Sequence, residues 1–175
     1  MCDSLPSRMK TDITWKIAGP AGYGIMTTGL IFSKALSRGG LQVFNYPEYP
    51  SLIKGGHNTY QVRFSEGMVR APLLETDILV ALNEESIPIH ADEMTGRSVI
   101  IHDDSFSPES DSRLLSLPLE ELAGKEIMRN TVALGATIAI LDYDLSLAES
   151  VIRGRLLEER GGHSLCQHLC TRSRL

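Results

Sequence analysis

What this sequence has little of already narrows it. Cysteine is scarce: Cys2, Cys166 and Cys170 sit at the two ends of the 175 residues, with no paired Cys-x-x-Cys set able to hold an iron–sulfur cluster. The chain is therefore expected to carry no cluster of its own. Basic charge is not in excess, since 17 Lys and Arg against 22 Asp and Glu leave a formal net charge of −5. Without a basic stripe to displace phosphate counterions, nucleic acid is not an expected partner. No apolar run approaches the roughly 20 residues that cross a bilayer. The opening "MCDSLPSRMK" also lacks the apolar core of a signal peptide. These absences read as a cytoplasmic chain with no membrane partner.

What is present is an ordinary folding composition, 42% hydrophobic and 22% charged, at a length suited to one domain. Three segments are expected: a flexible start over 1–12, a domain over 13–159, and a loosely packed tail over 160–175. The tail places His163, Cys166, His168 and Cys170 close together. Such crowding in a stretch without a sustained apolar face is poor for a tetrahedral site, so no metal site is assigned.

Along the domain, hydrophobic periodicity gives an α/β pattern. A first strand over Ile13 to Ala18 leads through "GPAGYG" into a helix from Ile25 to Arg38, with Gly39 as a left-handed stop. "LQVFNY" is expected to return as a second strand parallel to the first. "NTYQVRFS" alternates with Tyr60, Val62 and Phe64 on one face, and "GMVRAP" is placed beside it as a short strand. "DILVALN" reads as a strand buried on both faces, and "SVIIHD" as another. Between them "EESIPIHADEM" is a weak helix interrupted by Pro88, and "LEELAGKEI" is a short helix further on. Asn130 is expected to cap a deeply buried helix, "TVALGATIAILD", whose apolar residues surround the axis. Ser146 and Glu149 have capping-box spacing ahead of a last amphipathic helix. The outcome is a three-layer α/β domain with a mainly parallel sheet.

The chemistry lies in two glycine segments. Gly19, Gly22 and Gly24 separate a strand from a helix, whose amino terminus offers free N–H groups and a partial positive charge to an anion. Their Gly-x-x-Gly-x-Gly spacing differs from the dinucleotide fingerprint, and Asn45 stands where a ribose-binding acid would be, which disfavours nicotinamide. Tight strand–helix packing alone explains the same glycines equally well. In "EYPSLIKGGHN", Gly55 and Gly56 expose amides beside the mobile cation of Lys54, and Ser51, His57 and Asn58 add donors. His57 is read as a surface or capping residue, not a base. No catalytic residue is assigned.

The run from "IAGPAGYG" through "EYPSLIKGGHNTYQVRFS" to "APLLETDILVALN" resembles the gamma domain of thiamine-diphosphate-dependent 2-oxoacid:ferredoxin oxidoreductases. It is most similar to the form fused at the amino terminus of the alpha subunit of 2-oxoglutarate-type enzymes, over about Ile13 to Glu159. The resemblance implies a Rossmann-like gamma domain in an enzyme that decarboxylates a 2-oxoacid (pyruvate or 2-oxoglutarate in the named members), reduces ferredoxin and leaves an acyl-CoA. It implies thiamine diphosphate and iron–sulfur clusters in partner domains, alpha and beta subunits as partners, and no cofactor held by this chain alone. Contact with coenzyme A is carried over to Gly19, Gly22 and Gly24 and to Ser51, Lys54, Gly55, Gly56, His57 and Asn58. Pro20 and Ala21 depart from a more glycine-rich first turn, and the larger pyrimidine-binding domain of a fused subunit does not follow in this sequence, which suits a fragment. An assembly module with no ligand is the alternative.

Overall fold

A computed structural model describes residues 12–48, 56–109, 111–124 and 128–154. Its centre is a six-stranded sheet of β1 (Asp12–Pro20), β2 (Gln42–Glu48), β3 (His57–Ser65), β4 (Thr76–Ala81), β5 (Met94–Asp103) and β6 (Leu114–Leu117). The strands lie in the order β2-β3-β1-β4-β5-β6. β1, β4, β5 and β6 pair in parallel, and β3 is antiparallel to both of its neighbours. β2 therefore runs in the direction of β1, as its hydrophobic pattern implies, but β3 separates the two. The physical reason lies in the side chains. β3 buries residues on both faces, including Thr59, Tyr60, Gln61 and Val62, whereas β2 carries Pro47, which has no N–H to give a ladder, and suits an edge.

Alternation along the strands makes the two faces unequal. One face presents Ile13, Trp15 and Ile17 from β1 and Tyr60, Val62 and Phe64 from β3. These pack on Phe32 and Leu36 of helix α1 (Ile25–Arg38) and on Leu134 and Ile138 of a carboxyl-terminal helix described below. Phe32 sits between Trp15 and Phe64, with ring centroids 4.7 and 5.7 Å away. The opposite face is polar near its middle, where Thr14, Lys16, Thr59 and Gln61 are all buried. The segment 66–75 covers part of it, its carbonyls at Leu73 and Ala71 accepting hydrogen bonds from Gln61 and Arg63. A small apolar cluster of Ala18, Leu79 and Ile100 completes this side, under helix α2 (Ser86–Ile89) and a 3-10 turn (Ala91–Glu93).

Three further helices close the domain: α3 (Leu119–Ala123), α4 (Arg129–Ile140) and α5 over 145–154. α4 is buried along one stripe, Asn130, Ala133, Leu134, Thr137 and Ile138, and exposes Ile140, so it is not buried all round. Asn130 lies inside the helix and does not cap it; its side chain reaches across the fold instead. Asp144 takes the capping role before α5, accepting the Ser146 N–H at 2.8 Å. "GMVRAP" forms a loop and no strand. At the end of α1 the left-handed residue is Gly40, with φ 90°, while Gly39 keeps φ −77°. The tail over 160–175, with its His and Cys residues, lies outside the described residues.

Candidate functional site

The sheet register brings the two glycine segments together. Gly19 pairs with Asn58 and Pro20 with His57 at the carboxyl end of β1, and the Ala21 N–H donates to the Gly56 carbonyl at 3.1 Å. Gly19, Gly22, Gly24, Gly56, His57 and Asn58 thus occupy one locus. Ser51, Lys54 and Gly55 lie outside the described residues. The locus has two sides, because side chains alternate along β3. Asn58 shares the register face of Tyr60 and Val62, toward α1, whereas His57 contacts the connection after β4 on the far side.

On the α1 side, packing accounts for two of the three turn glycines. A Cβ on Gly19 would lie 2.9 Å from the Leu82 Cβ, and one on Gly24, at φ +73°, would lie 2.3 Å from the Asn130 amide nitrogen. That amide donates to the Tyr23 carbonyl at 3.0 Å, so the start of α4 pins the turn. The Arg129 guanidinium stands 5.8 Å from the Tyr23 ring centroid and brings a cation to the same place. Gly22 differs: at φ +98° it faces open space. α1 has no side-chain cap and no acid in its first turn, so its positive end is not neutralised locally.

On the other side lies a chain of polar groups that sequence reading missed. His57 Nε2 meets His90 Nε2 at 2.9 Å, and His90 Nδ1 meets Glu93 Oε1 at 2.9 Å. The second Glu93 oxygen accepts a bond from the ammonium of Lys16 and lies 3.4 Å from the Thr76 hydroxyl. Lys16 and His90 are buried. Burial pushes Glu93 up, but hydrogen bonds from His90 and Lys16 outweigh it and hold the carboxyl down at about 2. Burial first, and then neighbouring His90, push His57 below its ordinary 6.5; Lys16 adds to the push, while Glu85 and Glu93 oppose it. Two signals for this chain were in the sequence: a lysine amid the apolar strand "ITWKIA", and His90 and Glu93 at a three-residue spacing.

Beyond Pro20, on the His57 side, a cavity of about 930 Å³ opens between the ends of β1, β4 and β5. Crevices at the carboxyl ends of strands are the usual ligand positions in such sheets, here where α1 and α2 leave the sheet on opposite sides. Ile87, Pro88 and Ile100 give it apolar walls, Glu84, Glu85 and Glu109 give it acid, and Arg113, paired with Asp111, adds one cation. Carboxylates outnumber the single guanidinium in this lining, which disfavours a phosphate. Among the described residues, no group of three or more His, Cys, Asp or Glu is placed to hold a metal ion. No helix among them is long and apolar enough to cross a membrane.

This fold recurs in known proteins. Subunit VorA of the ketoisovalerate oxidoreductase of Methanothermobacter thermautotrophicus is 32% identical over 135 residues, 74% of this chain and 28% of that relative. Subunit KorC of the 2-oxoglutarate synthase of Archaeoglobus fulgidus is 26% identical over 153 residues, 85% of this chain and 81% of the relative. The chain thus spans just over a quarter of the ketoisovalerate relative and most of the other. Among solved structures, the gamma subunit of a keto/oxoacid ferredoxin oxidoreductase from Geobacter sulfurreducens superposes with a TM-score of 0.71 at 24% identity, covering 83% of this chain and 86% of that one. The 2-oxoglutarate:ferredoxin oxidoreductase of Magnetococcus marinus, solved with 2-oxoglutarate, coenzyme A and succinyl-CoA bound, gives 0.74 at 23% identity, over 86% of this chain and 28% of that one. At these identities the structural likeness speaks for the fold. The model of the pyruvate ferredoxin/flavodoxin oxidoreductase family matches residues 14–167, most of the chain, and the chain belongs to that family.

Proposed function

We propose that this chain is the gamma subunit or domain of a 2-oxoacid:ferredoxin oxidoreductase, an assembly that decarboxylates a 2-oxoacid oxidatively, forms an acyl-CoA and passes electrons to ferredoxin. Its share is the coenzyme A side of the site and the packing of alpha and beta partners. Thiamine diphosphate and the iron–sulfur clusters belong to those partners, and the domain over 13–159 is the working unit. The observation that carries this reading is the Ala21 to Gly56 hydrogen bond, which joins both glycine segments beside the uncapped end of α1. A phosphate of coenzyme A fits there: Gly22 leaves space, the helix end favours negative charge, and Arg129 supplies a cation nearby. Coenzyme A, when bound, supplies the thiol that takes the acyl group. The chain's own residues bind and orient it.

Lys54, one residue before the glycine pair, tests the anion site. Lys54→Ala should weaken coenzyme A binding roughly tenfold to hundredfold, the worth of a charge-assisted hydrogen bond, while leaving assembly intact. Unchanged coenzyme A saturation in an intact complex rejects the site. A second reading, an assembly module with no ligand, is favoured by Gly19 and Gly24, which packing against Leu82 and Asn130 explains without one. Coenzyme A-dependent thermal stabilisation separates the two readings, because only a bound ligand raises the unfolding midpoint with its concentration.

A further inference from the structure

The start of β3 has little backbone support. β2 pairs with β3 only as far as Thr59, so Gly56, His57 and Asn58 lie beyond that neighbour. On the other side β1 sets Gly19 against Asn58 and Pro20 against His57, and Pro20 has no N–H to give. Beyond the ladder, two bonds secure this stretch among the described residues. The Ala21 N–H donates to the Gly56 carbonyl, and the His57 ring crosses to the turn between β4 and β5, where its Nε2 meets His90 Nε2 at 2.9 Å. Two ring nitrogens facing each other at this distance share one hydrogen. Either ring can donate it, and the contact survives with both rings neutral or with one charged. With both charged, each facing nitrogen carries its own hydrogen and the two repel. This limit follows from counting hydrogens, whichever ring takes the first proton.

We infer that the His57–His90 contact is an acid-opened latch, which ties the second glycine segment to the turn between β4 and β5 and releases it when the pair takes up its second positive charge. His57 is the ring that leaves. It is half-buried, whereas His90 is buried and its Nδ1 stays against Glu93. The same turn walls the cavity through Ile87, Pro88 and Ala91, so the latch joins the glycine segment to that wall. The charged groups around His57 come from three sides. Burial and then His90 push its proton affinity down, Lys16 of β1 adds to the push, and Glu85 and Glu93 of the turn oppose it. Glu48 of β2, further along the same face, is engaged by the Thr59 hydroxyl. The closed latch therefore binds the His57 proton less readily than a free ring does, and falling pH through the ordinary 6.5 favours the open form. Glu93, held at about 2, stays ionised throughout this range and keeps His90 in place. The latch is a property of this junction and holds whatever the locus binds.

Amide hydrogen exchange of the full chain, corrected for the intrinsic effect of pH, reads the latch at Ala21, whose N–H is protected only while the Gly56 carbonyl stays in place. Protection at Ala21 should fall about twofold to tenfold between pH 7.5 and pH 5, the worth of one hydrogen bond. His57→Gln places an amide that can donate or accept where the ring nitrogen stood, so it meets His90 in either charge state, and its Ala21 protection should not change over this range. His57→Ala should be as weakly protected at pH 7.5 as the parent is at pH 5. Ala21 protection that is the same at both pH values in the parent overturns the latch. An equal fall in His57→Gln also overturns it, because the acid response then belongs to another group.

Discussion

Thr137 is the residue on which the chain's single tryptophan depends. Trp15 is fully buried, and its indole N–H donates to the Thr137 hydroxyl at 3.1 Å, across the interface between β1 and α4. The hydroxyl in turn donates to the Ala133 carbonyl one helical turn earlier. Thr137→Val keeps the shape and removes the acceptor, leaving a buried donor unmet at a cost of about 1–3 kcal/mol. Urea unfolding followed by Trp15 fluorescence measures it, and Thr137→Ser should recover most of the loss. A variant as stable as the parent would mean that the indole finds another acceptor. The same scale explains what the sequence hid about the site. Lys16 reads as a lone interruption of an apolar strand until Glu93, 77 residues away, is placed against it.

Helix α1 and helix α4 each hold a glycine in mid-helix, and the two respond to alanine in opposite directions. Glycine costs a helix about 1 kcal/mol relative to alanine, so neither is there for the helix itself. At Gly29 of α1 an added Cβ would stand 2.3 Å from the Tyr60 ring, which β3 holds in the core. Gly29→Ala should therefore destabilise, by about 1–3 kcal/mol, through overpacking between helix and sheet. At Gly135 of α4 nothing lies within 4 Å of the added atom, and Gly135→Ala should gain up to about 1 kcal/mol. Thermal unfolding of the two variants checks both signs in one experiment. Element boundaries show the same division between local and distant causes. α1 begins and ends where its glycine turn and apolar stripe place it. The cap expected of Asn130 does not form because α4 already begins at Arg129, which puts Asn130 inside the helix, and its amide donates instead to the Tyr23 carbonyl, 107 residues distant.

For the whole molecule, two depressed pKa values set the direction of acid sensitivity. The His57 imidazole lies below 6.5 in the fold, so as pH falls through 6.5 the unfolded chain takes up this proton first and stability drops. Glu93, held at about 2 against an ordinary 4.5, contributes stability that is complete above about 4.5 and lost as pH falls toward 2. The unfolding midpoint should decline from pH 7 to pH 3. Glu93→Gln should be less stable at neutral pH and show a flatter curve below 4.5; a parallel curve would show that the ion pair with Lys16 is not the acid-sensitive element. Activity also belongs to this scale. The purified chain alone, supplied with thiamine diphosphate, a 2-oxoacid and coenzyme A, is expected to reduce no viologen dye, and reduction would overturn the subunit assignment.

The sequence by itself determined the parts governed by neighbours along the chain. Alternation and apolar runs marked β1, β3, β4 and β5, the glycine turn and the stripe from Ile25 to Arg38 marked α1, and the two glycine segments carried the family resemblance. Tertiary structure alone decided where those parts meet. β3 took the place beside β1 because it buries both faces while Pro47 keeps β2 at the edge, and that insertion set Pro20 against His57 and Gly19 against Asn58. It also split the expected site across the sheet, since consecutive side chains on a strand point to opposite faces. Lys16, His57, His90 and Glu93 gain their chemistry only in the fold, where burial strengthens each charge's hold on its partner. No local pattern encodes that pairing.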